Sequence, residues 1–152
     1  MTLYFAYGAN MEREAMRRRC PGATALGAAR LAGWRYVIVA GYGSVARAAG
    51  GSVFGVLWRL TPRDLAALNI FESLDSGLYR RVMLTVQAGA KRQRVLVYVG
   101  RQRGRSRPMP GYQERLIDAA AAWHLPPRYI AELQRLAPGY RGARPAETGE
   151  LA

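Results

Sequence analysis

Apolar and polar positions divide the chain into short strand-like and helix-like runs. Leu3–Ala6 is apolar, ends at Tyr7-Gly8, and predicts a strand entering a turn. Met11–Arg19 (MEREAMRRR) predicts a short helix capped by Asn10. Glu12 and Glu14 fall in its first turn and arginines in its last, an order that complements the helix dipole. Leu31–Ala40 and Ser52–Leu60 are rich in β-branched and aromatic residues and predict two strands. The second is apolar on both faces and is expected to be central. Gly41–Gly51, between them, is glycine-rich and reads as a flexible loop.

Thr61-Pro62-Arg63-Asp64 carries the marks of a helix start: a capping hydroxyl, a proline in the first turn and an acid near the capping-box position. Leu65, Leu68 and Phe71 give that helix an apolar stripe, and turn residues Ser73–Gly77 stop it near Glu72. Leu78–Gln87 and Arg94–Gly100 predict a hairpin joined through AGAKRQ. Arg101–Pro110 reads as a loop, and Tyr112–His124 and Pro127–Leu136 as two helices. Strands in the middle with helices at the flanks predict an α+β fold on a mostly antiparallel or mixed sheet. Gly33 and Gly55 permit the bends that a small barrel needs. The expected organisation is one domain over residues 1–137 and a loose tail over 138–152.

Composition narrows the function classes. Half of the 152 residues are hydrophobic, which argues against wholesale disorder. One cysteine, Cys20, rules out an internal disulfide and a multi-cysteine zinc site, and is expected to be a small buried filler. One histidine, His124, excludes mechanisms that need two, and reads as a helix-end residue. Trp34, Trp58 and Trp123 are read as core. No apolar run is long enough to span a membrane, and Met1–Met11 lacks the layout of a signal peptide. A cytoplasmic protein without membrane attachment is the expectation. The net charge is +13, and Lys91 is the one lysine among 23 basic residues. Such a field attracts anions but does not identify them.

No phosphate-binding loop, GxGxxG turn, HExxH helix or GxSxG elbow is present. Three features remain. The Tyr7-Gly8-Ala9-Asn10 segment exposes backbone N–H groups at a strand-to-helix turn, which suits an anion or oxyanion; an ordinary turn reads the same way. Glu72 closes an apolar-faced helix, where burial and the helix C-terminus raise its pKa towards proton-transfer use; a solvated helix-end acid is the competing reading. The basic run Lys91–Arg107 could bind phosphates, but carries no RNA-binding signature and no aromatic residue between Arg101 and Arg107.

Three segments in order resemble the γ-glutamylcyclotransferases: YFAYGANM, FESLDSGLYRRVMLTV and PMPGYQERLIDAAAAWHLPPRYIAEL. The resemblance implies a small mixed β-barrel flanked by helices. It implies cleavage of a γ-glutamyl amide to 5-oxoproline and a free amine or amino acid, with a small-molecule substrate and without metal or cofactor. Carried over residue by residue, it places the catalytic acid at Glu72, a substrate-holding loop at Tyr7, Gly8, Ala9 and Asn10, and pocket tyrosines at Tyr79 and Tyr112. Ala9 stands where the family loop has serine, which keeps backbone donors and removes a hydroxyl contact. Two other readings stay open. The same pocket could process a γ-glutamyl group on a larger intermediate or a protein side chain. The basic chain could instead bind nucleic acid, which the missing signatures disfavour.

Overall fold

A computed structural model of the protein describes residues 1–72, 77–101 and 104–142. Five strands close into a barrel in the order β1-β3-β2-β4-β5. They are β1 (Thr2–Ala6), β2 (Thr24–Val39), β3 (Tyr42–Leu60), β4 (Tyr79–Ala88) and β5 (Lys91–Gly100). The helices are α1 (Arg13–Arg19), α2 (Pro62–Phe71), α3 (Tyr112–Ala122) and α4 (Pro127–Gln134), with a 3-10 turn at Ala9–Met11. The α+β barrel with flanking helices is as the sequence led one to expect.

β3 is central, as its two-sided apolar pattern requires. It pairs antiparallel with β1 and with β2. β4 and β5 form the second hairpin. Closure rests on thinner seams: Arg30 opposite Gln87 between β2 and β4, and a parallel contact of Tyr4 with Leu96 between β1 and β5. Phe5, Leu31, Leu57, Val53, Val56 and Val97 are fully buried inside the sheet, and Leu116, Ile117 and Leu133 bury the helical layer against it. Trp34 and Trp58 belong to this core, whereas Trp123 is partly buried, edge-on to Trp58.

The glycine-rich loop expected over Gly41–Gly51 is instead strand. Ala40 and Gly41, both at positive φ, form the turn, and β3 runs on from Tyr42. The small residues are there for packing. A Cβ on Gly43 would fall 2.8 Å from the Tyr36 hydroxyl, and one on Gly51 would fall 2.6 Å from the Trp34 carbonyl oxygen. Propensity reads such glycines as loop, and tertiary contact overrides it. β2 likewise starts at Thr24 rather than Leu31, because its small residues gain ladder partners on β3 from Gly55 to Arg59. The β4–β5 turn is shorter than AGAKRQ, since Ala88 pairs with Lys91. Gly33 sits at a bulge with φ of +84°, so it does bend its strand, but Gly55 serves close approach instead.

Asn10 does not cap a helix. α1 begins at Arg13 with Glu12 before it, and the Asn10 side chain is buried among polar partners. The capping box of α2 forms as the sequence requires: Asp64 N–H donates to Thr61 Oγ1, and Thr61 N–H donates to Asp64 Oδ2 at 3.0 Å. Asp64 also accepts from Gly22 N–H, tying the α1–β2 connection to α2. These bonds hold its carboxyl below the usual carboxylate range despite the opposing effect of burial. We expect Asp64→Ala to cost about 2–3 kcal/mol in urea unfolding, since a cap is lost and buried donors are left unpaired. A loss no larger than that of an exposed α2 substitution such as Arg63→Ala would contradict this. Phe71 departs from the expected buried stripe and is exposed.

Cys20 is buried, donates to the Asp64 carbonyl, and has its thiol pushed up to about 11, chiefly by burial. His124 follows the end of α3 at φ of +56°. Of the expected loose tail, Tyr140 donates to Asp118 on α3, and residues 143–152 lie outside the described residues, as does most of the expected Ser73–Gly77 turn.

Candidate active site

The first strand delivers the turn that forms one wall of the site. β1 ends at Ala6, and Tyr7, 6% exposed, sends its hydroxyl to the Tyr98 carbonyl on β5 at 2.5 Å. The chain then tightens through Gly8 into the 3-10 turn, closed by Met11 N–H to the Gly8 carbonyl. Trp123 fixes this turn from outside, donating its indole N–H to the Met11 carbonyl at 2.6 Å. Arg13 lies over the same indole at 3.7 Å. Gly8 is required by contact, because a Cβ there would come within 2.9 Å of the Tyr112 hydroxyl.

Tyr112, at the start of α3, places that hydroxyl between two glycines. It accepts from Gly43 N–H at 3.1 Å. Burial raises its pKa, while the Gly43 and Ala9 backbone N–H groups pull it back. Tyr79 donates to the Gly43 carbonyl at 3.2 Å.

Glu72 completes the walls beside Asn10. It is the residue at which α2 ends, and it is partly buried. The Asn10 side-chain amide donates to its Oε1 at 3.4 Å and to the Tyr4 hydroxyl at 3.1 Å. Arg19 donates to Asn10 Oδ1, and its guanidinium lies 3.8 Å from the centre of the Phe71 ring. Burial pushes the Glu72 carboxyl up to about 7, and Arg19 partly opposes the rise. The phenols of Tyr4, Tyr7, Tyr79 and Tyr98 are raised as well, first by burial and further by neighbouring charges that include Glu72. They therefore stay protonated at neutral pH and act as neutral polar groups around one carboxylate.

Between these walls lies a cavity of about 620 Å³, within the usual range of small-molecule sites (~300–1,000 Å³). Tyr7, Gly8, Ala9, Asn10, Glu72, Tyr79 and Tyr112 all line it. The sequence reading missed Tyr4, Tyr98 and Arg19, which line it too. Tyr4 and Tyr98 lie in apolar strands and look like core. Arg19 is one of three adjacent arginines, with nothing local to single it out.

Comparison with known proteins decides the family. The profile described as gamma-glutamyl cyclotransferase, AIG2-like, matches residues 4–124. The chain belongs to this family. Bovine gamma-glutamylcyclotransferase is 27% identical over 92% of this chain and 81% of its own length. The mouse protein of the same name is 25% identical with the same coverage. A solved structure titled gamma-glutamyl cyclotransferase superposes with a TM-score of 0.84 over 99% of this chain and 96% of its own, at 24% identity, and so shares the fold.

Proposed function

We propose that the protein is a γ-glutamyl cyclotransferase that releases 5-oxoproline from a γ-glutamyl amino acid or γ-glutamyl amine. The observation that carries this reading is the partly buried Glu72, its carboxyl pushed up to about 7, bonded to Asn10 and lining one cavity of small-molecule size together with the Tyr7–Asn10 turn.

The substrate α-amine attacks its own γ-carbonyl carbon. A new C–N bond closes a five-membered ring, and the old amide C–N bond breaks. Both reacting groups belong to one molecule, so holding it in a folded shape replaces a protein nucleophile, and effective molarity supplies several kcal/mol of the barrier. The α-amine is largely protonated near pH 7, with an ordinary pKa of about 8. Glu72, ionised, takes that proton and delivers it to the departing nitrogen; the second proton that the ring nitrogen sheds after closure follows the same route, so the amine leaves as an ammonium. A pKa near neutrality suits both halves of this exchange. In this reading the Gly8–Asn10 turn holds either the oxyanion that develops at the γ-carbon or the substrate carboxylate, through the backbone N–H groups not already turned to the Tyr112 hydroxyl. Arg18, Arg19 and Arg115 also line the cavity and favour an anionic substrate. No cofactor is needed for this chemistry. Localisation in the cytoplasm is part of the same reading.

The test is 5-oxoproline release from a panel of γ-glutamyl amino acids and γ-glutamyl amines. Turnover of at least one panel member is expected. Absence of turnover across the panel, by folded protein at high concentration, would defeat the proposal. Comparing kcat/KM across acceptors of increasing size separates free small molecules from larger γ-glutamyl conjugates, and a rate that grows with acceptor size would favour the latter.

A further inference from the structure

A second hollow, lined by none of the residues of the cavity just described, lies against strands β2 to β5. Its volume is about 510 Å³. Five arginines line it: Arg35 from β2, Arg47 from β3, Arg80 from β4, and Arg101 and Arg105 from the segment after β5. On β4, Tyr79 lines the first cavity and its neighbour Arg80, on the other face of the strand, lines the second.

We propose that this hollow binds a compact chain of linked phosphates. Among the described residues, no aspartate or glutamate lines the hollow and none of its arginines takes part in an ion pair. Like charges converging in one concavity repel one another, and a polyanion relieves that repulsion. Guanidinium forks match phosphate oxygens in pairs, which a point charge does not do.

The geometry also says what is not read. Trp34 and Arg47 are cross-strand partners, and the Arg47 guanidinium lies 5.0 Å from the centre of the indole ring. That contact holds Arg47 in place. It also covers the aromatic ring of the hollow, which is itself 8% exposed. A nucleobase finds no open face to stack on, and stacking is how single-stranded nucleic acids gain much of their affinity. Recognition therefore rests on phosphates. The convergence of several strands on one hollow fits a short soluble chain better than a long strand lying on a flat basic face. A small tricarboxylate offers the same kind of oxygen but less charge in the same space. The proposal is independent of the activity assigned to the first cavity, since none of these arginines lines it.

Isothermal titration calorimetry of the full chain at about 150 mM salt tests this, with inorganic tripolyphosphate as the probe. Saturable one-to-one binding is expected, about tenfold or more tighter than citrate. Arg47→Ala and Arg80→Ala should each weaken it about tenfold, and Arg47→Lys should restore only part of the loss. Arg92→Ala and Arg94→Ala, exposed on β5 outside the hollow, should change it by less than about twofold. Circular dichroism of each variant checks the fold. Equal losses from Arg92→Ala and Arg94→Ala would show a diffuse basic field and overturn the proposal. Citrate binding as tightly as tripolyphosphate, or no saturation at this salt, would do the same. Tighter binding of a short single-stranded oligonucleotide through Arg47 and Arg80 would replace the soluble polyphosphate with nucleic acid.

Discussion

Glu72→Gln is expected to lower the rate of 5-oxoproline release by about a thousandfold or more while leaving the protein folded. Gln keeps the shape and can still accept from Asn10, but it cannot carry a proton between the two nitrogens. The same substitution is expected to raise stability at alkaline pH. The folded carboxyl has its pKa raised by burial to about 7, against an ordinary value of 4.5. Between those two pH values the native state binds more protons than the unfolded chain, so stability falls as pH rises. The contribution is fully present below the unfolded pKa and fully lost above the folded one. Gln has no charged form to bury. Above pH 7 the variant should therefore exceed the wild type by up to about 3 kcal/mol, and below pH 4 the difference should vanish. In the wild type, kcat/KM should climb with pH around the same value, because the ionised acid is needed to accept the ammonium proton. Urea unfolding and rates measured from pH 4 to pH 9 check both effects. A variant that turns over at the wild-type rate would remove Glu72 from its role, and a stability difference flat with pH would place it in open solvent.

Gly55→Ala is expected to destabilise the barrel by about 3 kcal/mol or more. The added methyl would fall 2.2 Å from the Ala6 carbonyl oxygen and 2.9 Å from two carbons of the Phe5 ring. Neither neighbour has room to move. Phe5 is fully buried, and Ala6 is the register partner of Val56 on the same strand as Gly55. β1 must shift outward, and it carries the Tyr7–Asn10 turn with it, so activity falls together with stability. Gly50→Ala is the control. It has positive φ but nothing within 4 Å of the new methyl, so it should cost only about 1 kcal/mol of backbone strain. The urea midpoints of the two variants separate these cases, with unchanged m-values marking a true loss of stability. A Gly55→Ala midpoint no lower than that of Gly50→Ala would contradict the close packing of β1 on β3.

What the sequence reveals and conceals follows from how local each cause is. Helix α2 is legible because its start is written in four adjacent residues, Thr61 to Asp64. The turn after β1 is legible for the same reason. The first half of β3 is not. Its glycines and alanines look like loop until Tyr36, Tyr112 and the Trp34 carbonyl are seen pressing against them. Those neighbours come from β2 and α3 and are brought there by barrel closure. The same holds for the surroundings of Glu72. Its electrostatic neighbours Tyr4, Tyr98 and Arg19 lie on three separate elements, and only long-range pairing gathers them. The resemblance to a known family supplied the pocket tyrosines Tyr79 and Tyr112, which no local pattern singles out.

The closing seam between β1 and β5 has a consequence for how this chain can change over generations. Its ladder is short, and the Tyr7 hydroxyl, bonded to the Tyr98 carbonyl, acts as a rivet across it. The same ring borders the space where the substrate is proposed to sit. Architecture and the proposed chemistry thus share one side chain. A descendant that gave up the reaction would still be held to tyrosine there, because the cylinder would gape without it.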